Sequence, residues 1–470
     1  MSTNFSMKSP KRDRSNPPWQ PGQEVEILIT DVADSGDGVG RVNQQVVFVP
    51  QTVTGDRVWV RLVQIKRQYM RGKLLKILSP SPHRVRPSCI VADKCGGCQW
   101  QHIAYSHQLE IKQHQIVQAL QRIGQFADPP VDPILPTEPS LHYRNKATYP
   151  LERSPNGQIK AGYYRQGSHK VVNINQCPLQ NQGLDPLLAN IKKDIQKLEW
   201  QIYNEKRHTG DIRYLSVRVG IRTGEILLTL VATHTALKNL EEQANLWMQQ
   251  YPQLVGVCVN INEKRTNTIF GKHTYTIAGG SYLQEIFAGY RYNLRTDTFF
   301  QVNTATAEAL LQEIENSLPA SANLLVDAYC GVGTFTLPLS QRVQRAIAIE
   351  IQPEAIELAK QNAAQNHLTN IEFHDSKVET LLPQLQQTPD IVLLDPPRKG
   401  CDRTVIETLR QIQPTSIVYV SCKAATLARD LQLLCQDGTY RLQRVQPADF
   451  FPQTSHVECA AFLVKNTTSP

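Results

Sequence analysis

The chain lacks any apolar run near the roughly 20 residues that cross a bilayer, so no membrane-spanning segment is expected. Its first stretch, Met1 to Pro21, lacks the apolar centre of a secretory signal and carries Lys8, Lys11, Arg12 and Arg14. That composition predicts a disordered basic tail over residues 1–18 and a cytoplasmic location. No internal repeat is apparent, which excludes a solenoid. Acid is the scarcer charge: 42 Asp and Glu stand against 50 Lys and Arg, leaving a net charge of +8 that suits a nucleic-acid partner. In a chain without a secretory signal, the ten cysteines read as reactive or metal-bound thiols in a reducing compartment, not as disulfides. A length of 470 residues allows two to four domains with ample core.

What is present concentrates toward the C-terminus. Two apolar runs, Ile391 to Leu394 and Ile417 to Val420, lead into Asp395-Pro396-Pro397-Arg398-Lys399-Gly400 and Ser421-Cys422-Lys423. Runs of this kind read as parallel strands buried on both faces, which puts Asp395 and Cys422 side by side at the carboxyl edge of one sheet. An open α/β sheet binds ligands and does its chemistry at that edge.

A third run, Leu324-Leu325-Val326, enters Asp327-Ala328-Tyr329-Cys330-Gly331-Val332-Gly333-Thr334, where two glycines permit a tight turn and close approach to a ligand before a helix. Glu350 ends the next apolar run about nineteen residues past Gly331, the offset at which an acid receives ribose hydroxyls. No Gly-Lys-Thr/Ser follows, so this is not a P-loop, and Thr336 occupies the place where a dinucleotide site carries Gly or Ala. A ribose-binding acid without a diphosphate site points to a nucleoside cofactor such as S-adenosylmethionine (SAM).

Cys89, the pair in Cys95-Gly96-Gly97-Cys98, and Cys177-Pro178 form a separate constellation. Two thiolates separated by two residues can grip one metal centre; spacing alone fits structural zinc and an iron-sulfur cluster nearly equally. Cys258, Cys330, Cys401, Cys435 and Cys459 read as packing residues. Between Trp19 and Pro80, short β-type runs (Glu24 to Thr30, Val46 to Val49, Arg57 to Val63, Lys73 to Leu78) are punctuated by Gly36, Gly38, Gly40, Gly55 and Gly72, as in a small antiparallel barrel. Arg57, Arg61, Lys66, Arg67, Arg71, Lys73 and Lys76 interleave with Trp59 and Tyr69, a mixture suited to phosphate contact and base stacking. Trp59 itself is expected in the core.

Phe299-Phe300-Gln301-Val302-Asn303, Asp327 to Thr334, Asp395 to Gly400, Tyr419 to Cys422, Thr426 to Asp430 and His456-Val457-Glu458 together resemble the SAM-dependent RNA uracil-5-methyltransferases. Within them, the chain is most similar to the members that carry a TRAM domain and an iron-sulfur cluster and methylate 23S ribosomal RNA. The resemblance covers nearly the whole chain and departs at Lys423-Ala424-Ala425-Thr426, where the family usually reads Asn-Pro-x-Thr. It implies an α/β class I methyltransferase (Rossmann-like) catalytic domain over 299–470, an OB-like TRAM barrel over 19–80, and an α+β central domain over 81–298 with a 4Fe-4S cluster on Cys89, Cys95, Cys98 and Cys177. It further implies that Gln301, Tyr329, Glu350 and Asp395 contact SAM, that Tyr143-Arg144-Asn145-Lys146 lies by the RNA cleft, and that the amphipathic stretch Ile103 to Ile123 packs on the catalytic domain. RNA, in particular 23S rRNA, is the expected partner of a monomer.

Carbon 5 of uracil is too weak a nucleophile to take a methyl group directly, so a thiolate must first add at carbon 6. Cys422 is the candidate thiolate, with Arg398 and Lys423 near enough in sequence to favour its ionisation. The resemblance assigns removal of the carbon 5 proton to Glu458; His456 is the alternative base. A uracil inside a helix cannot present carbon 6, so the base must be unstacked, with Phe299 or Phe300 to stack on it. Three competing readings remain at this point. One is a tRNA uracil methyltransferase. Another is an RNA cytosine-5-methyltransferase, which would place a Cys after an Asp-Ala-Pro corner where this chain has Pro397-Arg398. The third is an iron-sulfur RNA-binding protein without activity.

Overall fold

The computed structural model describes residues 19–319 and 321–466; the tail expected over 1–18 lies outside them. The chain divides into two compact units, one made of the residues through Pro87 with Gln99–Ala104, the other of Ser88–Cys98 with Tyr105 onward. Among the described residues no helix is long and apolar enough to cross a membrane.

In the first unit β1 (Glu24–Val32), β2 (Gly38–Val42), β3 (Gln45–Val49), β4 (Arg57–Ile65) and β5 (Tyr69–Ser79) close into a barrel in the order β1-β2-β3-β5-β4. Strand alternation sends Val25, Ile27, Ile29, Val58, Val60, Leu62 and Met70 inward, and their neighbours outward. The interior is narrow: a Cβ on Gly72 would come within 2.2 Å of Val60 Cγ1, and one on Gly40 within 2.3 Å of Ile27 Cγ2. Glycines expected to mark turns are thus partly strand residues, and the glycine-rich β2 is a strand the apolar pattern does not reveal. Trp59 is not core. It lies between inward Val58 and Val60, so its ring faces out, half-exposed, and its Nε1 donates to Glu24 Oε2 at 2.7 Å.

The second unit opens with α1 (Tyr105–Arg122) and continues through β6 (Lys146–Arg153), β7 (Ile159–Ala161), α2 (Leu184–Lys197), β8 (Ile212–Val219), β9 (Ile226–Ala232), α3 (Leu240–Gln250), β10 (Leu254–Ile261) and β11 (His273–Gly279). These strands form one sheet in the order β11-β10-β9-β8-β6-β7. Leu187, Ile191 and Ile195 of α2 and Trp247 of α3 pack with Leu215 and Leu228 of the sheet. A hairpin of β12 (Leu283–Phe287) and β13 (Tyr290–Leu294) then leads to α4 (Thr304–Ser317), which Asn303 caps by accepting from Thr306 N.

The remaining elements are β14 (Ala322–Ala328), α5 (Thr336–Ser340), β15 (Val343–Glu350), α6 (Pro353–Gln365), β16 (Ile371–Asp375), α7 (Val378–Leu381), β17 (Ile391–Leu394), α8 (Arg403–Ile412), β18 (Ser416–Ser421), α9 (Ala424–Cys435), β19 (Tyr440–Ala448) and β20 (Glu458–Lys465). The sheet order is β16-β15-β14-β17-β18-β20-β19. β14 to β18 run parallel, while β20 enters antiparallel to both β18 and β19. Strand order reverses at β14, between β15 and β17, and the crevice of an open α/β sheet lies at such a point.

As the family resemblance implies, α1 packs on the catalytic domain despite its early place in the chain: Ile116 and Leu120 join Leu427, Leu431 and Leu434 of α9 in one apolar cluster. Lys112 Nζ donates to Asp449 Oδ1 at 2.6 Å and to Phe451 O at 3.0 Å, with both charged side chains fully buried. Burial pulls the Lys112 ammonium below its ordinary range, against the opposing pull of Asp449. Removing one member of such a pair strands the other charge away from water. Lys112→Met is therefore expected to cost about 3 to 5 kcal/mol of stability in urea unfolding. Adding Asp449→Leu should recover part of that loss, whereas additive losses would show that the two groups do not act as a pair.

Candidate active site

The register of β18 with β20 builds the centre of the site. Ser421 pairs with Cys459 in this antiparallel ladder, so one further step places Cys422 opposite Glu458, the first residue of β20. Such opposed residues have Cα atoms about 4.5 to 5.5 Å apart. On the other side Leu394 pairs with both Tyr419 and Ala328, and Asp395 N donates to Ala328 O at 3.4 Å. Asp395 and Cys422 thus leave neighbouring parallel strands at the same edge, as the sequence predicts.

Their charges interact. Burial pushes the Cys422 thiol up and Glu458 adds to it; Arg398 pulls it down, and Asp395 raises it again, leaving it above the ordinary thiol range. Glu458 is only 4% exposed, and its Oε2 has no hydrogen-bond partner. Burial raises its carboxyl to about 7 against the pull of Arg398. Asp395 is pushed well above the carboxylate range by burial and by Glu458 and Asp327. Arg398, exposed on the Pro-Pro turn, is therefore the cation that tempers both the thiol and Glu458. His456 is exposed and held below the ordinary imidazole range by burial of its ring, Arg398 and Lys112, so it has no buried position comparable to that of Glu458.

The glycine loop sits at the end of β14. Tyr329 takes a left-handed φ of 75°, and Gly331 and Gly333 follow at 57° and 84°. A Cβ on Gly331 would meet nothing within 4 Å, so the backbone there borders open space. Glu350 ends β15 and accepts from Gly331 N at 3.2 Å and Gln352 N at 3.0 Å, which fixes its carboxylate at the rim of that space. Gln301 is buried, and its carbonyl accepts from Asn145 Nδ2 at 2.8 Å. This open loop, its anchored acid and exposed Ile351 beside it fit a nucleoside with an apolar base and ribose hydroxyls.

Two contributors are not apparent from pattern alone. Asp327 is buried and accepts from the Thr336 hydroxyl; burial lifts it to about 7, with Thr336 lowering and Glu350 raising it. The departure from Gly or Ala at position 336 thus has a physical reason, because the hydroxyl satisfies a buried carboxyl. Ile351 has the weaker signal of an apolar residue directly after a strand-ending acid. The two phenylalanines separate cleanly. Phe300 is 1% exposed and packs edge-on to Phe287, whereas Phe299 is 64% exposed.

The four cysteines come from segments outside the strands of this sheet. The amide of Gly97 donates to Cys95 Sγ at 3.4 Å. Burial pushes Cys177 up to about 11, the N–H groups of Leu179 and Gln180 pull it down, and Cys89 and Cys95 raise it further. Cys89 and Cys177 both line a cavity of about 860 Å³. Backbone amides aimed at Cys95 and Cys177 are the kind of donors that metal-bound thiolates accept. Among the described residues, however, no three or more of His, Cys, Asp and Glu are gathered tightly enough to hold a metal ion.

Comparison with known proteins agrees with this geometry. Residues 104–466 match the family model tRNA (Uracil-5-)-methyltransferase, and residues 18–75 match the TRAM domain. A relative from Nostoc sp. described as an uncharacterized RNA methyltransferase is 62% identical over 95% of this chain and 97% of its own length. One of the same description from Bacillus cereus is 36% identical over 96% of this chain and 99% of its own. The crystal structure of a Pyrococcus abyssi tRNA (uracil-54, C5)-methyltransferase with S-adenosyl-L-homocysteine superposes with a TM-score of 0.76 at 26% identity, covering 93% of this chain and 99% of that one. The chain accordingly belongs to the tRNA (uracil-5-)-methyltransferase family of SAM-dependent RNA methyltransferases and carries a TRAM domain at its N-terminal side.

Proposed function

We propose that the chain methylates carbon 5 of a specific uridine in RNA through a transient Cys422 adduct, with 23S ribosomal RNA as its target. The observation that carries the adduct reading is the opposition of Cys422 and Glu458 at the sheet edge, with Arg398 acting on both. Bound SAM supplies the electrophilic methyl group; Gln301, Tyr329, Glu350 and Asp395 would hold it. The Cys422 thiolate adds at carbon 6, and the electron pair of the 5,6 double bond moves toward O4. Carbon 5 then takes the methyl group, the Glu458 carboxylate removes the remaining carbon 5 proton, and elimination returns the Cys422 thiolate and the double bond. Phe299, exposed at the start of its loop, stacks on the displaced base.

Ribosomal RNA is supported by the combination of the four-cysteine segment with the barrel, which resembles the 23S-modifying members. Transfer RNA is the second reading, favoured by the substrate of the P. abyssi enzyme. Modification maps of both RNA classes from cells with and without the protein decide between them. A 4Fe-4S cluster would be held by Cys89, Cys95, Cys98 and Cys177; with four protein ligands its role would be structural or RNA-facing, because methylation of uracil needs no electron.

Cys422→Ala should abolish methylation and leave SAM binding nearly intact, and RNA containing 5-fluorouridine should trap the wild type covalently. Glu458→Gln should accumulate adduct, since only the proton-removal step is lost. Glu458 accepts a proton only when ionised and its carboxyl sits at about 7, so release of the adduct should slow as pH falls through neutrality. A pH-independent release rate would remove Glu458 from the base role.

Protein purified without oxygen should be brown and carry about four iron and four sulfide per chain. Colourless, active protein with one zinc would overturn the cluster reading.

On the barrel, Arg57 and Arg61 pair with Glu26 and Glu24, and Arg71 lies 3.8 Å from Asp37. Lys66, Arg67, Lys73 and Lys76 are exposed and make no ion pair among the described residues, leaving their charge available for phosphates. Replacing these four with Ala should lower the salt dependence of RNA binding by about 0.7 in log–log slope for each phosphate no longer neutralised, with SAM binding unchanged. An unaltered slope would place the phosphate-binding charges elsewhere.

A further inference from the structure

Helix α9 begins two residues after Cys422, and one of its faces grips the turn that carries Arg398. Thr426, Arg429 and Asp430 stand at helical spacing on that face. The single Thr426 hydroxyl hydrogen is shared between Lys423 O at 3.0 Å and Arg398 O at 3.4 Å, and Arg429 Nη2 donates to Lys399 O at 3.0 Å. Asp430 Oδ2 accepts from Cys401 N at 2.9 Å and from the Tyr419 hydroxyl at 2.6 Å, while Asp430 Oδ1 accepts from Arg429 Nε at 2.7 Å. Asp430 is 1% exposed and Tyr419 is fully buried. The turn closes with Gly400 N donating to Pro397 O at 2.8 Å, and Gly400 adopts a φ of 80°. A Cβ on Gly400 would stand 2.5 Å from Asp430 Oδ2 and 2.6 Å from Arg429 Nη2. The absence of a side chain at Gly400 is what lets the turn seat on the helix.

These bonds hold main-chain atoms of three consecutive residues, Arg398, Lys399 and Gly400, together with Cys401. The Arg398 side chain stays exposed and reaches toward Cys422 from a backbone that they fix. That guanidinium pulls down both the Cys422 thiol and the Glu458 carboxyl. We infer that Asp430, with Arg429, is a positioning residue: it fixes the backbone of the turn that presents Arg398 to Cys422. A carboxylate suits this place because one oxygen binds the turn amide and the tyrosine while the other binds Arg429, and charge-assisted bonds of this kind are about twice as strong as neutral ones. The inference rests on the reading of Cys422 as nucleophile.

The test measures alkylation of the Cys422 peptide by iodoacetamide as a function of pH, with mass spectrometry resolving it from the other cysteines and SAM binding as the control for folding. Asp430→Ala should slow alkylation near neutral pH about tenfold, equivalent to one pKa unit on the thiol, without loss of SAM binding. Asp430→Asn, which keeps an acceptor for Cys401 N but turns an amide N–H toward Arg429 Nε and loses the charge, should recover only part of the rate. In an Arg398→Gln background Asp430→Ala should add nothing. An unchanged profile in Asp430→Ala, or an equal slowing in the Arg398→Gln background, would overturn the inference. If Asp430→Ala does not fold, Arg429→Met removes the bond to Lys399 O from the surface side and should shift the same profile in the same direction; no shift would overturn it. Trapping of wild type on 5-fluorouridine RNA is scored separately, so a Cys422 that is not the nucleophile shows as absent trapping even where the alkylation profile responds to Asp430.

Discussion

The pairing of β18 with β20 is the constraint on which the site depends. Cys422 and Glu458 come from segments separated by a helix, a strand and a loop, and only their antiparallel register brings them face to face. A slip of one residue would turn Glu458 to the opposite face of the sheet. The register is secured by buried side chains on both strands, from Ile417 to Val420 and from Cys459 to Leu463. The same residues that make the sheet core thus set the spacing of the reacting groups.

Electrostatics follows from that placement. Asp327, Asp395 and Glu458 converge at one edge and are each pushed up by burial. One exposed arginine and the Thr336 hydroxyl oppose this tendency. The balance leaves a carboxyl near neutrality facing a thiol whose ionisation needs help, a pairing suited to a base that acts late and a nucleophile that acts first.

Much of this arrangement is legible in the sequence because parallel strands buried on both faces leave continuous apolar runs. Ile391 to Leu394 and Ile417 to Val420 locate Asp395 and Cys422, and Val343–Glu350 places Glu350 beside the glycine loop. Helix α1 is legible from its apolar stripe, whereas its docking is implied only by the family resemblance, because a stripe does not name its partner. Other features depend on neighbours that no local pattern records. Trp59 has the composition of a core residue, but strand parity turns it outward. β2 is hidden because its positions near the axis are glycines chosen for lack of space. Adjacent Phe299 and Phe300 are equivalent in sequence and opposite in burial. The hold of Asp430 on Cys401 joins residues 29 apart through a helix and a strand, so only tertiary structure discloses it.

The docking of α1 sets an order of events during synthesis. Its Lys112 finds Asp449 only 337 residues later in the chain. At ribosomal rates of about 5 to 20 residues per second, that is a delay on the order of 20 to 70 s. Until α9 emerges near the end of this interval, the apolar stripe of α1 lacks the leucines it packs on, although the barrel strands encoded ahead of it already have all of their partners. A nascent chain of this protein therefore holds every strand of its barrel while the helix that follows still waits for the surface it covers.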